Sequence, residues 1–422
     1  MRLQGKIKKA LCAVLFVALL MLVLQRAAFL VERKDSMEKY QPFYDQKEPF
    51  DVLIIGTSHA INGIFPMDLW DDYGIVSYNF GGHDNQPATS YWVLQNALQY
   101  TKPKLVVLDV FGAASQGKVS DDLSYLHLST DSMPFSKVKV DMLNDILPEY
   151  GNICDFLFDF SLYHNRWNEL TQDDFFPEIT KEKGAESRIR VASPEIYPLI
   201  EKDERFEEDG LGKEYIEKMI VCCQENGIEL LLVNLPFPAS EQKQRNANSI
   251  YPIAEKYGVE YINYLYQEDI VNYRTDFYDE DAHLNPSGAR KVTKDLGRIL
   301  SEEYHVPDRR QDAEYAGWFE DYEEYVEFKI SNLKKQSGVK EYLMLLNDED
   351  FKCFLSVDED PGREDTGLME LLIQNIPAAE VSVEAEQETK LRVIVTEIET
   401  GEVVDTAAFD ADGIRVEEED HG

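Results

Sequence analysis

Short apolar runs alternate with helix-like stretches from Val52 to Tyr304, and this alternation constrains the fold more than any other feature. The strand-like runs are Val52–Ile55, Val76–Phe80, Leu105–Val110, Ile228–Leu235 and Glu260–Leu265. The helix-like stretches are Ala88–Tyr100, Gly212–Asn226, Ser240–Tyr257 and Pro286–Tyr304. A continuous apolar strand, such as Leu230 to Val233, is typical of a sheet covered on both faces. The sequence therefore predicts an α/β protein with a parallel, doubly wound sheet.

The N-terminus has a different character from the rest of the chain. Four basic residues among the first nine precede an uninterrupted apolar run from Ala10 to Leu24. This run spans about 23 Å, and with residues 25–31 the segment is long enough to cross a hydrocarbon core of about 30 Å. Basic residues before the run indicate a cytoplasmic N-terminus and an exported remainder. We predict an uncleaved anchor at 1–31 and a single-pass protein of the cell membrane. A cleaved signal peptide and a buried helix of a soluble domain are the alternatives.

Composition excludes several classes of function. The net charge is −38, and no basic patch with interleaved aromatic residues occurs, so nucleic acid is not an expected partner. The five cysteines show no CxxC spacing and no Cys/His ligand spacing. We therefore predict no disulfide framework and no metal site.

Changes in composition divide the chain into segments. We predict a linker at 32–50, a catalytic domain at 51–306 and an acidic accessory domain at 307–422. A polar and aromatic insertion at 115–209 follows a strand end, where it could form a lid or a substrate wall. Residues 311–422 hold 31 Asp and Glu but only 9 Lys and Arg, and their strand-like runs indicate a small α+β or β-rich unit. The end at Glu417–Asp420 is predicted to be a disordered tail.

Two segments far apart in the chain form a candidate hydrolytic site. Gly56, Thr57 and Ser58 follow the first strand, and Asp281 and His283 precede a helix that opens at Pro286. A serine, a histidine and a carboxylate supply a nucleophile, its base and a group that orients the base. The carboxyl ends of parallel strands form the ligand crevice of such sheets, which places Ser58 correctly. The alternative is that Ser58 only caps the following helix and that His283 is an exposed loop residue without a catalytic role.

Three blocks in order carry a resemblance to a known family. They are Gly56–His59, Tyr78–Gly82 followed by Gln86, and Asp281–Ala289. On these residues the chain resembles the SGNH hydrolase superfamily of GDSL-like esterases and acyltransferases. It is most similar to the membrane-anchored envelope branch, which includes DltD-like and alginate-acetylation proteins. The resemblance covers residues 50–305 and implies a three-layer, flavodoxin-like fold.

The resemblance also implies roles for individual residues. Ser58 would be the nucleophile, His283 the base and Asp281 its orienting carboxylate. The N–H groups of Ser58 and of Gly81 or Gly82 would form the oxyanion hole.

The chain departs from the family pattern at two places. The family aspartate usually stands three residues before the histidine, where this chain has Glu280; we assign Asp281 and interpret Asp279 and Glu280 as solvated acids. Asp109 occupies the place of the family's oxyanion asparagine, so Asn79, Asn85 or Gln86 would substitute as donor.

Five further residues are candidate substrate contacts. His59 adjoins the nucleophile and either touches substrate or packs. Asn234 lies at a strand end that faces the crevice. His164 and Arg166, beside Trp167, would form a wall for an anionic or glycan substrate, or else belong to a helix in which Arg166 is ion-paired. Gln86 completes the set.

The predicted function is extracytoplasmic serine O-acyltransfer or ester hydrolysis on cell-envelope polymers, with acetyl or D-alanyl as the acyl group. The resemblance implies a membrane-bound O-acyltransferase as donor partner and no cofactor. A plain carbohydrate esterase or deacetylase is the alternative within the same chemistry. A catalytically inactive glycan-binding protein with the same fold is the alternative outside it.

Overall fold

The computed structural model describes residues 2–158, 160–177, 179–267, 269–281, 283–359, 366–384 and 389–416. The predicted tail at Glu417–Asp420 lies outside the described residues.

The helices are numbered in chain order. They are α1 (Arg2–Val31), α2 (Lys34–Asp45), α3 (Ser58–Gly63), α4 (Pro66–Tyr73), α5 (Pro87–Ala97), α6 (Leu123–Thr130), α7 (Lys137–Ile146), α8 (Ile153–Leu157), α9 (Phe160–Tyr163), α10 (Gln172–Phe175), α11 (Leu211–Asn226), α12 (Glu241–Asn248), α13 (Tyr251–Tyr257), α14 (Pro286–Glu302), α15 (Gly317–Lys334), α16 (Val339–Leu345) and α17 (Thr366–Gln374). Short 3-10 helices cover Phe111–Ala114, His164–Asn168, Tyr264–Tyr266 and Ala313–Tyr315.

The strands are β1 (Val52–Ile55), β2 (Ser77–Asn79), β3 (Leu105–Asp109), β4 (Glu229–Asn234), β5 (Glu260–Asn263), β6 (Phe351–Asp358), β7 (Ala379–Glu384), β8 (Leu391–Glu397), β9 (Val403–Phe409) and β10 (Arg415–Val416). The first five form one sheet in the order β2-β1-β3-β4-β5, and every pair in it is parallel. The predicted α/β class with a parallel sheet is confirmed. The flavodoxin-like assignment stays a prediction.

The parallel sheet is buried on both faces because its side chains alternate between two apolar clusters. Leu53 and Ile55 of β1 belong to one cluster, and Val52 and Ile54 belong to the other. All four side chains are fully buried. A strand covered on both faces has no polar side, which explains why β1 reads as a continuous apolar run.

The C-terminal strands form a second sheet, in the order β10-β9-β8-β6-β7. Its β6–β7 pair is parallel, and its other pairs are antiparallel. Leu355, Val393 and Val395 lie in a separate apolar cluster beneath this sheet. The hairpin between β8 and β9 turns at Gly401, whose φ of 71° is a conformation that favours glycine. The assignment of residues 307–422 as an accessory domain remains a prediction.

Among the described residues, one helix is long and apolar enough to cross a membrane, over Ile7–Val31. The apolar side chains of α1 from Leu11 to Leu24 are exposed. That exposure is unlike the core helix of a soluble domain, which buries such a surface.

Five helices differ from the sequence prediction. The segment predicted as a linker contains α2, and its Tyr40 and Phe43 are buried in the same cluster as Leu53. The predicted helix Ser240–Tyr257 divides into α12 and α13, with Pro252 in the first turn of α13, where a proline is tolerated. Helices α3 and α4 are too short to produce a distinct periodic pattern.

The insertion at 115–209 contacts several parts of the protein. Helices α9 and α10 and the 3-10 helix His164–Asn168 contact α1. Residues 185–192 run beside α3 and the loop before α14, where Glu186 N donates to Ile61 O (3.1 Å) and Ala192 N donates to Phe277 O (2.9 Å). Helix α6 contacts a further candidate residue, because Ser129 Oγ donates to Asn85 Oδ1 (2.8 Å).

Candidate active site

The turn after β1 depends on a close approach that only glycine permits. A Cβ on Gly56 would lie 2.5 Å from Cβ of Asp109, closer than carbon atoms can pack. The absence of a side chain at Gly56 therefore lets β1 end directly against the end of β3. The chain then enters α3 with Ser58 as its first residue.

Asp109 holds this turn in place. Its Oδ2 accepts hydrogen bonds from Thr57 N (3.0 Å) and Thr57 Oγ1 (2.6 Å), and its Oδ1 accepts one from Phe111 N (3.1 Å). Burial raises the pKa of the Asp109 carboxyl, while the hydrogen bonds from Thr57 and Phe111 act in the opposite direction. Thr57 in turn caps α3 by accepting from His59 N. Asp109 thus has a structural role here.

Ser58, His283 and Asp279 form a continuous hydrogen-bonded array. Ser58 Oγ lies 2.8 Å from His283 Nε2, and His283 Nδ1 lies 2.5 Å from Asp279 Oδ2. With its proton on Nδ1, donated to Asp279, the imidazole presents Nε2 as the acceptor for the Ser58 hydroxyl. About a quarter of the His283 and Asp279 side chains is exposed, so the array faces solvent. This arrangement can activate a serine for attack on a carbonyl carbon.

The prediction that Asp281 contacts His283 is wrong in this structure. Tyr278 N donates to His283 O (2.8 Å), and Phe277 is bridged to Leu284 in antiparallel fashion, so the loop folds back on itself. Asp279 is the residue that holds this loop, because its Oδ1 accepts from the N–H groups of Asp281 (3.1 Å) and His283 (3.0 Å). Asp281 is exposed at the tip of the loop, and Ala282 lies outside the described residues.

The predicted oxyanion donors are only partly available. As the first residue of α3, Ser58 has no intrahelical acceptor for its N–H, which can therefore serve an oxyanion. Gly81 N already donates to Asn79 Oδ1 (2.8 Å), and Gly82 N donates to Gly56 O (3.1 Å). Asn79 Nδ2 donates to the carbonyls of Ala60 (2.7 Å) and Ile64 (2.8 Å). Gly81, Gly82 and Asn79 therefore stabilise the turn in this structure and present no free donor.

A different asparagine has a free amide nitrogen. Asn85 is buried, its Oδ1 accepts from Ser129 Oγ (2.8 Å), and its Nδ2 has no partner among the described residues. This Nδ2 lies directly over Gly82, because a Cβ on Gly82 would come within 1.9 Å of it. The sequence offered Asn85 only as one of three substitutes, since nothing in the spacing separates it from Gln86.

His59 is part of an aromatic wall beside the array. Its ring stacks on Phe111 at 3.7 Å, meets Phe237 edge-on at 5.3 Å and lies 5.5 Å from the ring of His283. Burial lowers the pKa of His59 well below its usual range, and the nearby His283 and Lys243 act in the same direction. His59 is therefore neutral and packed. Its Nε2 has no partner within the described part of the chain.

Two of the predicted substrate contacts are occupied within the protein. Gln86 Nε2 donates to Asp84 O (3.2 Å) and Asp84 Oδ1 (3.1 Å). Asn234 is buried, and its Nδ2 donates to Asn263 Oδ1 (2.9 Å) at the ends of β4 and β5. Both amide nitrogens thus donate to groups of the protein itself.

The predicted wall of His164 and Arg166 lies against α1. Arg166 Nη1 donates to the carbonyls of Val31 (2.7 Å) and Glu32 (2.8 Å), and Nη2 pairs with Asp174 (3.0 Å). Its guanidinium thus satisfies carbonyls at the C-terminal end of α1, which the helix leaves without partners. The ion-paired alternative for Arg166 holds, although Trp167 is exposed. His164 is exposed in the same 3-10 helix.

Within the described ranges, no group of three or more His, Cys, Asp or Glu side chains is arranged to hold a metal ion. No protein-family model matches the sequence, and no curated protein matches it. One solved structure with detectable similarity is a protein from Desulfitobacterium hafniense DCB-2 that is assigned to the G-D-S-L family of lipolytic proteins. The two share 12% identity and a TM-score of 0.31, over 59% of this chain and 98% of that one. That similarity is too weak to assign a family or an activity to this chain.

Proposed function

We propose that this chain is a membrane-anchored serine O-acyltransferase or esterase of the SGNH type that acts on cell-envelope polymers. The observation that carries the proposal is the hydrogen-bonded array of Ser58, His283 and Asp279. Ser58 and His283 are 225 positions apart in the chain, and Asp279 and His283 are 4 positions apart. Folding alone does not require that these three side chains line up in this order. The order is the one that nucleophilic catalysis requires.

The reaction follows from the geometry. As Ser58 Oγ bonds to the acyl carbon of an ester, its proton passes to His283 Nε2, and Asp279 stabilises the resulting imidazolium. The tetrahedral intermediate collapses when the bond to the leaving oxygen breaks and that oxygen takes the proton from His283. The Ser58 acyl ester is then attacked by an acceptor hydroxyl, which gives its own proton to His283. The second tetrahedral intermediate collapses as the bond between the acyl carbon and Ser58 Oγ breaks and Oγ takes the proton from His283. The acyl group leaves on the acceptor, and the Ser58 hydroxyl is regenerated.

The negative charge on the carbonyl oxygen requires hydrogen-bond donors. The N–H of Ser58 is one, and we assign the amide of Asn85 as the second. Its unpartnered Nδ2 is buried next to Gly82, and Gly82 N itself bonds to Gly56 O beside the nucleophile turn. A buried amide nitrogen without a partner is costly, which is expected where a ligand completes its hydrogen bonding.

Transfer to a polymer hydroxyl is our preferred outcome, with hydrolysis by water as the alternative. A helix of suitable length and composition for a membrane span precedes the catalytic residues. Attachment beside the membrane raises the effective concentration of a membrane-bound acyl donor without any new contact. A membrane-bound O-acyltransferase is the donor partner that the motif resemblance implies, and acetyl or D-alanyl is the implied acyl group.

Covalent labelling tests the proposal. The full chain in detergent is incubated with an activated acetyl ester and, separately, with a serine-reactive phosphonate. The mass of the protein is then measured by intact-protein mass spectrometry. We expect one adduct, mapped to Ser58, that is absent from Ser58→Ala and strongly reduced in His283→Ala. Labelling that persists in Ser58→Ala would contradict the assignment of Ser58 as the nucleophile. Absence of any adduct with several esters and the phosphonate would favour a glycan-binding protein that lacks catalysis.

The reaction products then distinguish acyl transfer from hydrolysis. The acylated protein is mixed with an oligosaccharide or a teichoic-acid fragment, and the fate of the acyl group is followed. An acylated acceptor identifies a transferase, and free acid alone identifies an esterase.

A further inference from the structure

The part of the insertion that contacts α1 carries several exposed aromatic side chains. We call this group the aromatic face; its members are Phe158, Phe160, Trp167, Phe175 and Phe176, which are between 41% and 75% exposed. Large apolar side chains that gather on one face of a folded protein mark a contact with an apolar partner. The catalytic array makes no use of them.

The aromatic face is joined directly to the end of α1. Helices α9 and α10, which contain Phe160 and Phe175, contact α1, as does the 3-10 helix that contains Trp167. Arg166 fixes this connection through its bonds to the carbonyls of Val31 and Glu32. Trp167 directly follows Arg166, so its Cα lies about 3.8 Å from that of a residue bonded to the end of α1.

The length of α1 places this turn at the surface of a bilayer. The basic residues Lys8 and Lys9 precede the apolar residues, and the segment from Ala10 to Val31 spans about 33 Å, against a hydrocarbon core of about 30 Å. The last turn of α1 therefore lies close to the surface of the core. In the structure, Ala27–Val31 are partly or fully buried against the protein, while Leu11 to Leu24 are exposed.

We propose that the aromatic face inserts into the interfacial layer of the membrane and forms a second membrane contact beside α1. Tryptophan favours the depth where acyl chains meet headgroups, because its apolar body and its polar N–H are both accommodated there. Phenylalanine rings beside it add apolar surface that can be buried at the same boundary. The partner is lipid, since the face is continuous with the segment that crosses the bilayer. The proposal rests on the membrane anchor and is independent of the catalytic role of Ser58. Its consequence is that the catalytic domain is held in one orientation against the membrane.

Tryptophan fluorescence tests the contact, because the four tryptophans differ in their surroundings. Trp70 and Trp318 are buried, Trp92 is partly buried with its Nε1 donating to Asp145 (2.8 Å), and Trp167 is 67% exposed. The full chain is placed in phosphatidylcholine nanodiscs that carry a nitroxide either near the headgroup or near the end of the acyl chain. The difference between wild type and Trp167→Phe isolates the signal of Trp167.

We expect the nitroxide near the headgroup to quench the fluorescence of Trp167 about twofold or more strongly than the nitroxide near the end of the acyl chain, as for aromatic residues at an interface. Acrylamide in the water should quench this fluorescence only weakly. The matched variant Trp92→Phe should keep the full lipid-dependent quenching. Quenching of Trp167 by acrylamide alone, with no effect of either nitroxide, would overturn the proposal and leave the face to a protein partner. Phosphonate labelling of Ser58 on the same samples reports the catalytic proposal separately.

Discussion

Asp279 Oδ2 lies 2.5 Å from Nδ1 of His283, four residues later in the chain, and the same carboxylate accepts the backbone N–H of His283 at 3.0 Å. One side chain thus fixes both the ring and the backbone of the proposed base. The loop cannot shift His283 relative to Asp279 without breaking two hydrogen bonds at once. Orientation of the imidazole is the role that a third catalytic residue performs.

This relationship predicts that the two loop aspartates differ in their effect. We expect Asp279→Asn to lower kcat by a factor of roughly 10² to 10⁴, because an amide at this place no longer favours the tautomer with Nε2 free. Asp281→Asn, the matched control, removes an exposed charge and should leave kcat within about twofold. Both are measured with the ester that labels Ser58. Equal losses of kcat in the two variants would contradict the assignment of Asp279 as the residue that orients His283.

The oxyanion assignment predicts a specific effect at Asn85. Asn85→Asp keeps the shape and the acceptor for Ser129 but removes the two N–H donors. We expect a loss of about 10² to 10³ in kcat, with little change in KM, since the amide would bond the oxygen mainly when it becomes charged.

Two further variants serve as controls for Asn85. Ser129→Ala breaks the hydrogen bond that positions the amide and should cost much less than Asn85→Asp. Gln86→Ala removes the neighbouring amide and should be neutral. If Asn85→Asp retained wild-type kcat, the second donor would have to be sought elsewhere.

The turn before Ser58 predicts an effect of backbone spacing. An added methyl group in Gly56→Ala would meet Cβ of Asp109 at 2.5 Å, so β1 and β3 must separate there. We expect a loss of about 1–3 kcal/mol in stability, visible as a lower melting temperature, together with loss of Ser58 labelling. Gly317→Ala, at the start of α15 with nothing within 4 Å of its new Cβ, should leave both unchanged or slightly raise the melting temperature. Similar melting temperatures for the two variants would contradict the packing argument.

The pH dependence of stability should reveal the titration of Lys39. This lysine is buried in α2, and its Nζ donates to Gly81 O (2.6 Å). Burial lowers the pKa of Lys39 from 10.5 to about 8, against the opposing attraction of Glu186 and Glu182. Between these two values the unfolded chain holds a proton that the folded chain does not, so folding becomes more favourable as the pH rises.

We expect wild type to gain up to about 3 kcal/mol relative to Lys39→Met as the pH rises from 8 to 10.5. Melting temperatures of both proteins, measured across this window, give the difference. Titration of the buried tyrosines affects both proteins alike and cancels. A constant difference between wild type and Lys39→Met would show that Lys39 does not titrate in this window.

Local pattern predicted a large part of the fold and half of the candidate site. Buried parallel strands are continuous apolar runs, and so β1 and β3 to β5 were placed within a few residues. Ser58 and His283 were found because each follows or precedes a recognisable element at the correct edge of the sheet. The chain length and composition of residues 7–31 were sufficient to indicate a helix that could span a membrane.

The remaining contacts depend on partners that are distant in sequence or on how backbone groups are used. Gly81 and Gly82 look like free donors in the sequence, but the Gly81 N–H is taken by the side chain of Asn79 two residues earlier. The Gly82 N–H is taken by the carbonyl of Gly56 when β1 and β2 come together. Arg166 finds its acceptor 135 residues away, at the end of α1. No periodicity encodes such pairs, because they follow from the packing of whole elements.

The sequence by itself determined the class of the fold, the apolar N-terminal helix and the two residues, Ser58 and His283, that meet at the candidate site, since these follow from apolar periodicity and from position at strand ends. The tertiary structure decided which carboxylate faces His283, which amide is left without a partner and which surface lies beside α1. A hydrogen bond is made only within about 3 Å and along a favourable direction. Differences of two residues in a loop, such as that between Asp279 and Asp281, are therefore resolved only when the loop closes on itself.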